Sequence, residues 1–156
     1  MQVSAKPTNT TPFPIPDANT YPAVCIRIID LGTQKNGKFN NESRKVKIIW
    51  ELVGTENVVS DNQPPQPFVS FKEYTASIGE KANLRKDIES WLNRKLTEKE
   101  LENFDMSMLL GKPAFLGISH TVKGDKTYAN VSSVAAPMKG FTVPPAVGEQ
   151  FIFEIG

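Results

Sequence analysis

The sequence predicts a mainly β protein, a five-stranded Greek-key barrel with a helical segment between the third and fourth strands. Two observations support this prediction. Five segments alternate apolar and polar residues at the two-residue period of a β-strand, and one segment between them repeats apolar residues at helical spacing. The length of 156 residues and the 39% hydrophobic content are typical of a single globular domain.

The five predicted strands fall into two groups along the chain. They span residues 21–31, 44–53, 68–75, 113–120 and 127–134. In the first strand the alternation predicts that Val24 and Ile26 share one face and that Cys25, on the other, is partly exposed. Residues 32–41, rich in Gly, Asn and Gln, are expected to form a long turn between the first two strands.

The helical segment follows the third strand. Apolar residues recur at helical spacing through residues 84–92, and their stripe is expected to plug one end of the barrel. Ser77 followed by Glu80, and Thr97 followed by Glu100, both have the form of a capping box. Each pair therefore predicts the start of a helix.

The order of three strands, a helical segment and two strands is that of the OB-fold. The alternative is a six-stranded β-sandwich with a lateral helix. Residues 1–20, rich in Thr, Asn and Pro, predict an extended N-terminal arm, residues 21–138 the OB-fold domain, and residues 139–156 a C-terminal extension. The apolar residues 151–155 are expected to add an edge strand or to bind elsewhere.

Charge and residue counts exclude several kinds of site. The formal charge of +1 excludes histone-like binding through net charge. A single cysteine, Cys25, excludes an internal disulfide and a zinc site built on several cysteines. The single histidine, His120, is expected to have a structural role, with base stacking as the alternative, and we expect neither a metal nor another cofactor.

The expected location is the cytoplasm. No apolar run reaches the length of about 18 residues that a membrane-spanning helix requires. The first residues lack the basic start and apolar block of a secretion signal. We therefore expect no membrane association.

Several segments together resemble a family of small phage-encoded OB-fold proteins that bind single-stranded DNA. These segments are KEYT (72–75), NLRKDIESW (83–91), FD with LLGKP (104–105 and 109–113) and KTYANV (126–131), with DLGTQ (30–34) in the first strand. The resemblance covers roughly residues 21–140. It implies the OB-fold, a single-stranded DNA ligand in replication and recombination, the cytoplasm of a bacterial host, and phage or host replication and recombination proteins as partners.

The C-terminus departs from this family pattern. Single-stranded DNA-binding proteins commonly end in an acidic tail that recruits partners. After Met138 this chain holds two acids, Glu149 and Glu154, and no acidic run. The recruiting role implied by the resemblance therefore lacks its usual sequence feature.

Binding of a single strand requires cations for phosphates and aromatic faces for bases. Residues 35–47 hold five basic residues and one acid, a local charge of +4. The predicted third and fifth strands each place a tyrosine two residues from a lysine. The candidate nucleic-acid-binding residues are Arg27, Lys35, Lys38, Arg44, Lys45, Lys47, Lys72, Tyr74, Lys126, Tyr128 and Asn130.

Each candidate has a structural alternative. A charged loop is commonly just solvated, Tyr74 and Tyr128 can pack at the barrel rim, and Asn130 can bond to a neighbouring backbone group. Trp50 and Phe71 follow the apolar phase of their strands and are expected in the core.

We therefore expect a non-sequence-specific single-stranded DNA-binding protein of phage replication or recombination, and not an enzyme. The alternative is an OB-fold protein-interaction module without direct DNA binding, which the near-zero net charge favours. An enzyme would need paired carboxylates on adjacent strands, and the candidates Glu51 and Glu73 are expected to be surface charges. A monomer and a dimer both fit, since an exposed final strand can pair between chains.

Overall fold

The computed structural model describes residues 14–36, 41–57 and 64–154. Within these ranges the protein is mainly β, as predicted. The strands are β1 (Asn19–Asn36), β2 (Asn41–Leu52), β3 (Val69–Thr75), β4 (Pro113–Lys123), β5 (Lys126–Ala135) and β6 (Phe151–Glu154). Between β3 and β4 lie α1 (Asn83–Leu92), α2 (Glu98–Glu102) and a short 3₁₀-helix (Met106–Leu109).

Antiparallel pairing links five strands in the order β3-β2-β1-β4-β5, and β6 pairs with β1 in parallel. The long β1 makes this possible, because residues 19–24 pair with β4 and residues 27–30 pair with β6. The end strands β3 and β5 also approach each other to within 8 Å between Cα atoms. The sheet is therefore curled on itself, like a barrel.

A register shift between Cys25 and Arg27 reverses which side chains of β1 face the main core: Cys25 does so before the shift and Ile28 after it. Cys25 belongs to the main core and is 0% exposed, so the prediction of partial exposure is wrong. Val24 and Ile26 are also buried, but outside that core cluster. Gly148 covers Ile26, whose Cδ1 lies 3.4 Å from the position of a Cβ on this glycine. Both faces of β1 are thus covered at this point.

The burial of the two aromatic residues of β3 is the reverse of the burial that the sequence predicted. Phe71 is 54% exposed, whereas Tyr74 is 3% exposed. The register explains this, because Tyr74 pairs with Val46 and Ser70 with Trp50, both core residues of β2. Directly paired residues share a face of the sheet, so β2 decides which face of β3 is buried. Phe71 in the core and Tyr74 on the open face were wrong predictions.

Helix α1 closes the core from one side. Its buried residues are Leu84, Ile88 and Trp91, which is the stripe that the spacing predicts. The ring centroids of Trp91 and Trp50 are 5.7 Å apart. The Trp91 indole N–H also donates to the carbonyl of Pro113 at 2.7 Å, which ties α1 to the start of β4.

One of the two predicted capping boxes is present. Thr97 accepts a hydrogen bond from the backbone of Glu100, whose side chain accepts one from the backbone of Thr97. Ser77 instead accepts from the backbone of Gly79, and α1 begins six residues after Ser77, at Asn83. The expectation of a helix start at Ser77 is therefore wrong, because the local turn uses its hydroxyl.

The sequence predicted a long turn over residues 32–41, but β1 continues to residue 36 and β2 begins at residue 41. The connection between the strands is therefore shorter than predicted. Residues 1–13 of the predicted arm lie outside the described residues, as do residues 37–40. In the described ranges, the helices are all too short or too polar for a membrane span.

A C-terminal strap, residues 141–154, crosses the side of β1 and β2 that faces away from the main core. The backbone N–H groups of Val147 and Gly148 donate to the two carboxylate oxygens of Glu51 at 2.8 and 2.7 Å. Glu51 is 2% exposed, so it is not the surface charge that the sequence predicted. The strap ends in β6, which provides the edge strand expected near residue 151.

Candidate nucleic-acid interface

A groove of about 790 Å³ runs between β3 and β5. Its walls include the segment Pro14–Pro16, the outward face of β3 around Phe71, and the β4–β5 hairpin around Tyr128. Phe71 is 54% and Tyr128 46% exposed. The groove therefore offers apolar ring surface from two strands that are distant in sequence.

Phe71 has a cation directly over its ring. Lys47, on the neighbouring strand β2, places Nζ 4.2 Å from the Phe71 ring centroid. A cation at this distance from an aromatic face is attracted to the ring. Lys47 was a predicted candidate, whereas Phe71 was predicted in the core, because the alternation in β3 defines two faces without indicating which one is buried.

On β5, three candidates lie on one exposed face at two-residue spacing: Lys126, Tyr128 and Asn130. Asn130 donates from Nδ2 to the hydroxyl of Thr121 at 2.7 Å. This partner is a side chain of β4 and not the backbone group that the structural alternative supposed. Tyr128 and Asn130 line the groove, and Lys126 stands at the hairpin beside it.

Tyr74 and Lys72 are joined to α1 through one carboxylate oxygen. The Tyr74 hydroxyl donates to Asp87 Oδ2 at 2.6 Å, and Lys72 Nζ donates to the same oxygen at 2.9 Å. Burial and the adjacent Asp87 carboxylate raise the pKa of Tyr74. The Tyr74 ring is therefore not available for base stacking, whereas Lys72 still lines the groove with its charge partly neutralised.

Three other predicted cations are held away from the groove. Arg27 places its guanidinium 5.3 Å from the Phe151 ring centroid, beneath the strap. Arg44 pairs with Asp30 and holds the pKa of that carboxyl below its usual value. Lys45 donates to the hydroxyl of Thr75 at 3.0 Å. None of these three lines the groove.

The last two candidates lie in the first hairpin. Lys35 belongs to the paired backbone of β1, but its side chain is not described. Lys38 lies outside the described residues. The side-chain charges of these two lysines are therefore not placed by the structure.

The two carboxylates that the sequence offers as an acid–base pair, Glu51 and Glu73, lie far apart on neighbouring strands. Glu51 of β2 pairs with Val69 of β3, and Glu73 lies four residues further along β3. The two glutamates are therefore about 13 Å apart along the strand direction. Two carboxylates that share acid–base work on one bond lie about 5–10 Å apart. Burial raises the pKa of the Cys25 thiol to about 12, which disfavours the nucleophilic thiolate.

The groove is thus the feature of the described surface that combines exposed rings, cations and volume. Comparisons of the chain with protein-family models, with curated proteins and with solved structures find no match.

Proposed function

We propose that this protein binds single-stranded DNA without sequence specificity, and that the strand lies in the groove between β3 and β5. The observation that carries this proposal is the pair of exposed rings, Phe71 and Tyr128, that line one groove. Base stacking on such rings is sequence-tolerant, because every base has an aromatic face. Lys47, whose Nζ lies over the Phe71 ring, supplies a cation for the phosphates.

The strand order supports an OB-fold barrel as the scaffold. In an OB-fold, β1 pairs with both β2 and β4, a helix connects β3 to β4, and β3 and β5 close the barrel. The order β3-β2-β1-β4-β5, with β3 close to β5, is compatible with this arrangement. The resemblance of residues 72–75, 83–91 and 126–131 to phage single-stranded DNA-binding proteins supports a role in phage replication or recombination, in the bacterial cytoplasm.

The small net charge predicts that phosphate contacts contribute only part of the binding free energy. Each phosphate contact to a single strand contributes about −0.7 to the slope of log K against log salt. Lys123, at the end of β4, also lines the groove. If Lys47, Lys72, Lys123 and Lys126 supply two to four contacts, the slope is about −1.4 to −2.8. Stacking, at about 1–3 kcal/mol per base, then carries much of the affinity.

The test is fluorescence anisotropy of a labelled single-stranded oligonucleotide and of a duplex of equal length, at several salt concentrations. Phe71→Ala and Tyr128→Ala are each expected to weaken single-strand binding about five- to 150-fold, which corresponds to the loss of one stacked base. Phe153→Ala is the matched control, because Phe153 is 51% exposed but does not line the groove. Unchanged affinity in both groove variants would contradict the stacking proposal.

The second candidate is a protein-interaction module. The strand β6 exposes Phe151, Ile152 and Phe153, and such an edge can pair with an extended peptide or with a second copy. A complex of this kind depends on apolar contacts and backbone pairing, so its affinity changes little with salt. Absence of single-strand binding by the wild-type protein at low salt would favour this candidate.

A further inference from the structure

The segment Pro14–Pro16 forms one wall of the groove before the chain enters β1. Pro14 is exposed, Ile15 half-buried and Pro16 buried. Two of the three residues are prolines, which have no backbone N–H group. The wall therefore presents mainly apolar surface, and it carries no charge.

One side chain bonds to this segment directly, and a second bonds to the residue that follows it. His120 Nε2, near the end of β4, lies 2.8 Å from the carbonyl oxygen of Pro16. A carbonyl oxygen can only accept, so the imidazole donates and carries a proton on Nε2. The Tyr21 hydroxyl donates to the carbonyl of Asp17 at 2.8 Å. His120 thus connects the N-terminal segment to the strand that pairs with β5.

We propose that His120 is a positioning residue for the DNA groove, and that Pro14–Pro16 is an apolar wall that packs against the bases and sugars of the bound strand. This inference rests on the proposed function. The wall lines the same groove as Phe71 and Tyr128, so it shields stacked bases from water on one side. Since it has no cation, it contributes affinity without a phosphate contact.

The experiment compares His120→Phe with His120→Gln in the full-length chain. Phe removes the N–H donor, whereas the Gln amide places an N–H near the position of the imidazole Nε2. His120→Phe is expected to raise the dissociation constant for a single-stranded oligonucleotide about three- to tenfold, and His120→Gln less than twofold. The slope of log K against log salt is expected to stay unchanged, because no phosphate-binding cation is removed.

Hydrogen exchange distinguishes a positioning role of His120 from a purely structural one, because it measures the protection that the bound oligonucleotide gives to the N-terminal segment. In the wild-type protein, the amides of Ile15 and residues 17–20 should exchange more slowly when the oligonucleotide is bound, and this protection should shrink in His120→Phe. Ser132→Ala is the matched control, since the Ser132 hydroxyl also bonds to a backbone carbonyl, that of Gly117, but does not line the groove. Ile15→Ser changes the wall without touching His120 and should also weaken binding.

The outcomes separate the two proposals. Wild-type affinity in both His120→Phe and Ile15→Ser overturns the wall while leaving the DNA-binding proposal intact. Equal losses in His120→Phe and His120→Gln overturn the positioning role, because the retained N–H would then be irrelevant. A wild-type protein that binds no single strand overturns the proposed function and this inference with it.

Discussion

At the scale of single residues, the Tyr74 hydroxyl links β3 to α1 through its 2.6 Å hydrogen bond to Asp87. We expect Tyr74→Phe to lower the free energy of unfolding by about 1–2 kcal/mol, because the half-buried Asp87 carboxylate loses one of its two donors. Chemical denaturation measures this change. In Tyr128→Phe the hydroxyl has no described partner and the ring is exposed, so the expected change is below about 0.5 kcal/mol. Equal losses of stability in the two variants would contradict the role of the Tyr74 hydroxyl in linking β3 to α1.

The thiol of Cys25 offers a second residue-scale prediction. The side chain is 0% exposed, and burial raises its pKa to about 12. The native protein should therefore react very slowly with a disulfide reagent such as DTNB at pH 8, where an ordinary thiol is partly ionised. After unfolding in guanidinium chloride the single thiol should react at once. A native rate as fast as the denatured rate would show that β1 is not covered on both faces.

At the scale of elements, Glu51 attaches the C-terminal strap to the sheet. Glu51→Ala leaves the N–H groups of Val147 and Gly148 without their acceptors, and we expect a loss of about 2–4 kcal/mol in the free energy of unfolding. Glu51→Gln should lose less, since one of its two terminal atoms still accepts. Hydrogen exchange of residues 146–152 should become faster in both variants.

The matched control for the strap is Glu149→Gln, which changes an exposed carboxylate directly after the anchored Gly148. It should leave both the stability and the exchange of the strap unchanged. Slow exchange of residues 146–152 in Glu51→Ala would show that other contacts hold the strap, such as the packing of Phe141 against Phe115.

At the scale of the whole molecule, acid should destabilise the fold in a defined pH range. Several carboxyls have lowered pKa values in the folded state, namely Asp30, Glu89, Glu100 and Asp105. The Arg94 guanidinium lowers the pKa of Glu100 most, to about 2. A group with a lowered folded pKa stabilises the protein above its unfolded pKa, and this contribution is lost as the pH falls through the folded pKa.

The free energy of unfolding should therefore change little through these groups between pH 7 and 5 and then fall between about pH 4.5 and 2. Denaturant midpoints at a series of pH values measure this dependence. Glu100→Gln should make the dependence shallower, because the group with the largest shift no longer titrates. A midpoint that is independent of pH down to 2 would contradict the folded-state ion pairs.

The features that could be predicted from the sequence are those whose signals are complete within a few residues. Thr97 and Glu100 form their capping box because both partners lie within one helical turn. Gly124 adopts a φ of 64° between β4 and β5, as the hairpin signal at this position predicts. Tyr128 was placed correctly beside an open surface, because β5 is polar on that face along most of its length.

Which faces are buried, and which charges are paired, depends on contacts between segments that are distant in sequence. Alternation defines two faces of β3, but its pairing with Trp50 and Val46 turns Tyr74 inward and leaves Phe71 in the groove. The ion pairs of Arg44 with Asp30 and of Lys72 with Asp87 join residues 14 and 15 positions apart. His120 meets Pro16 across 104 positions, and no local pattern encodes such a contact, because it exists only once the sheet has brought the two segments together.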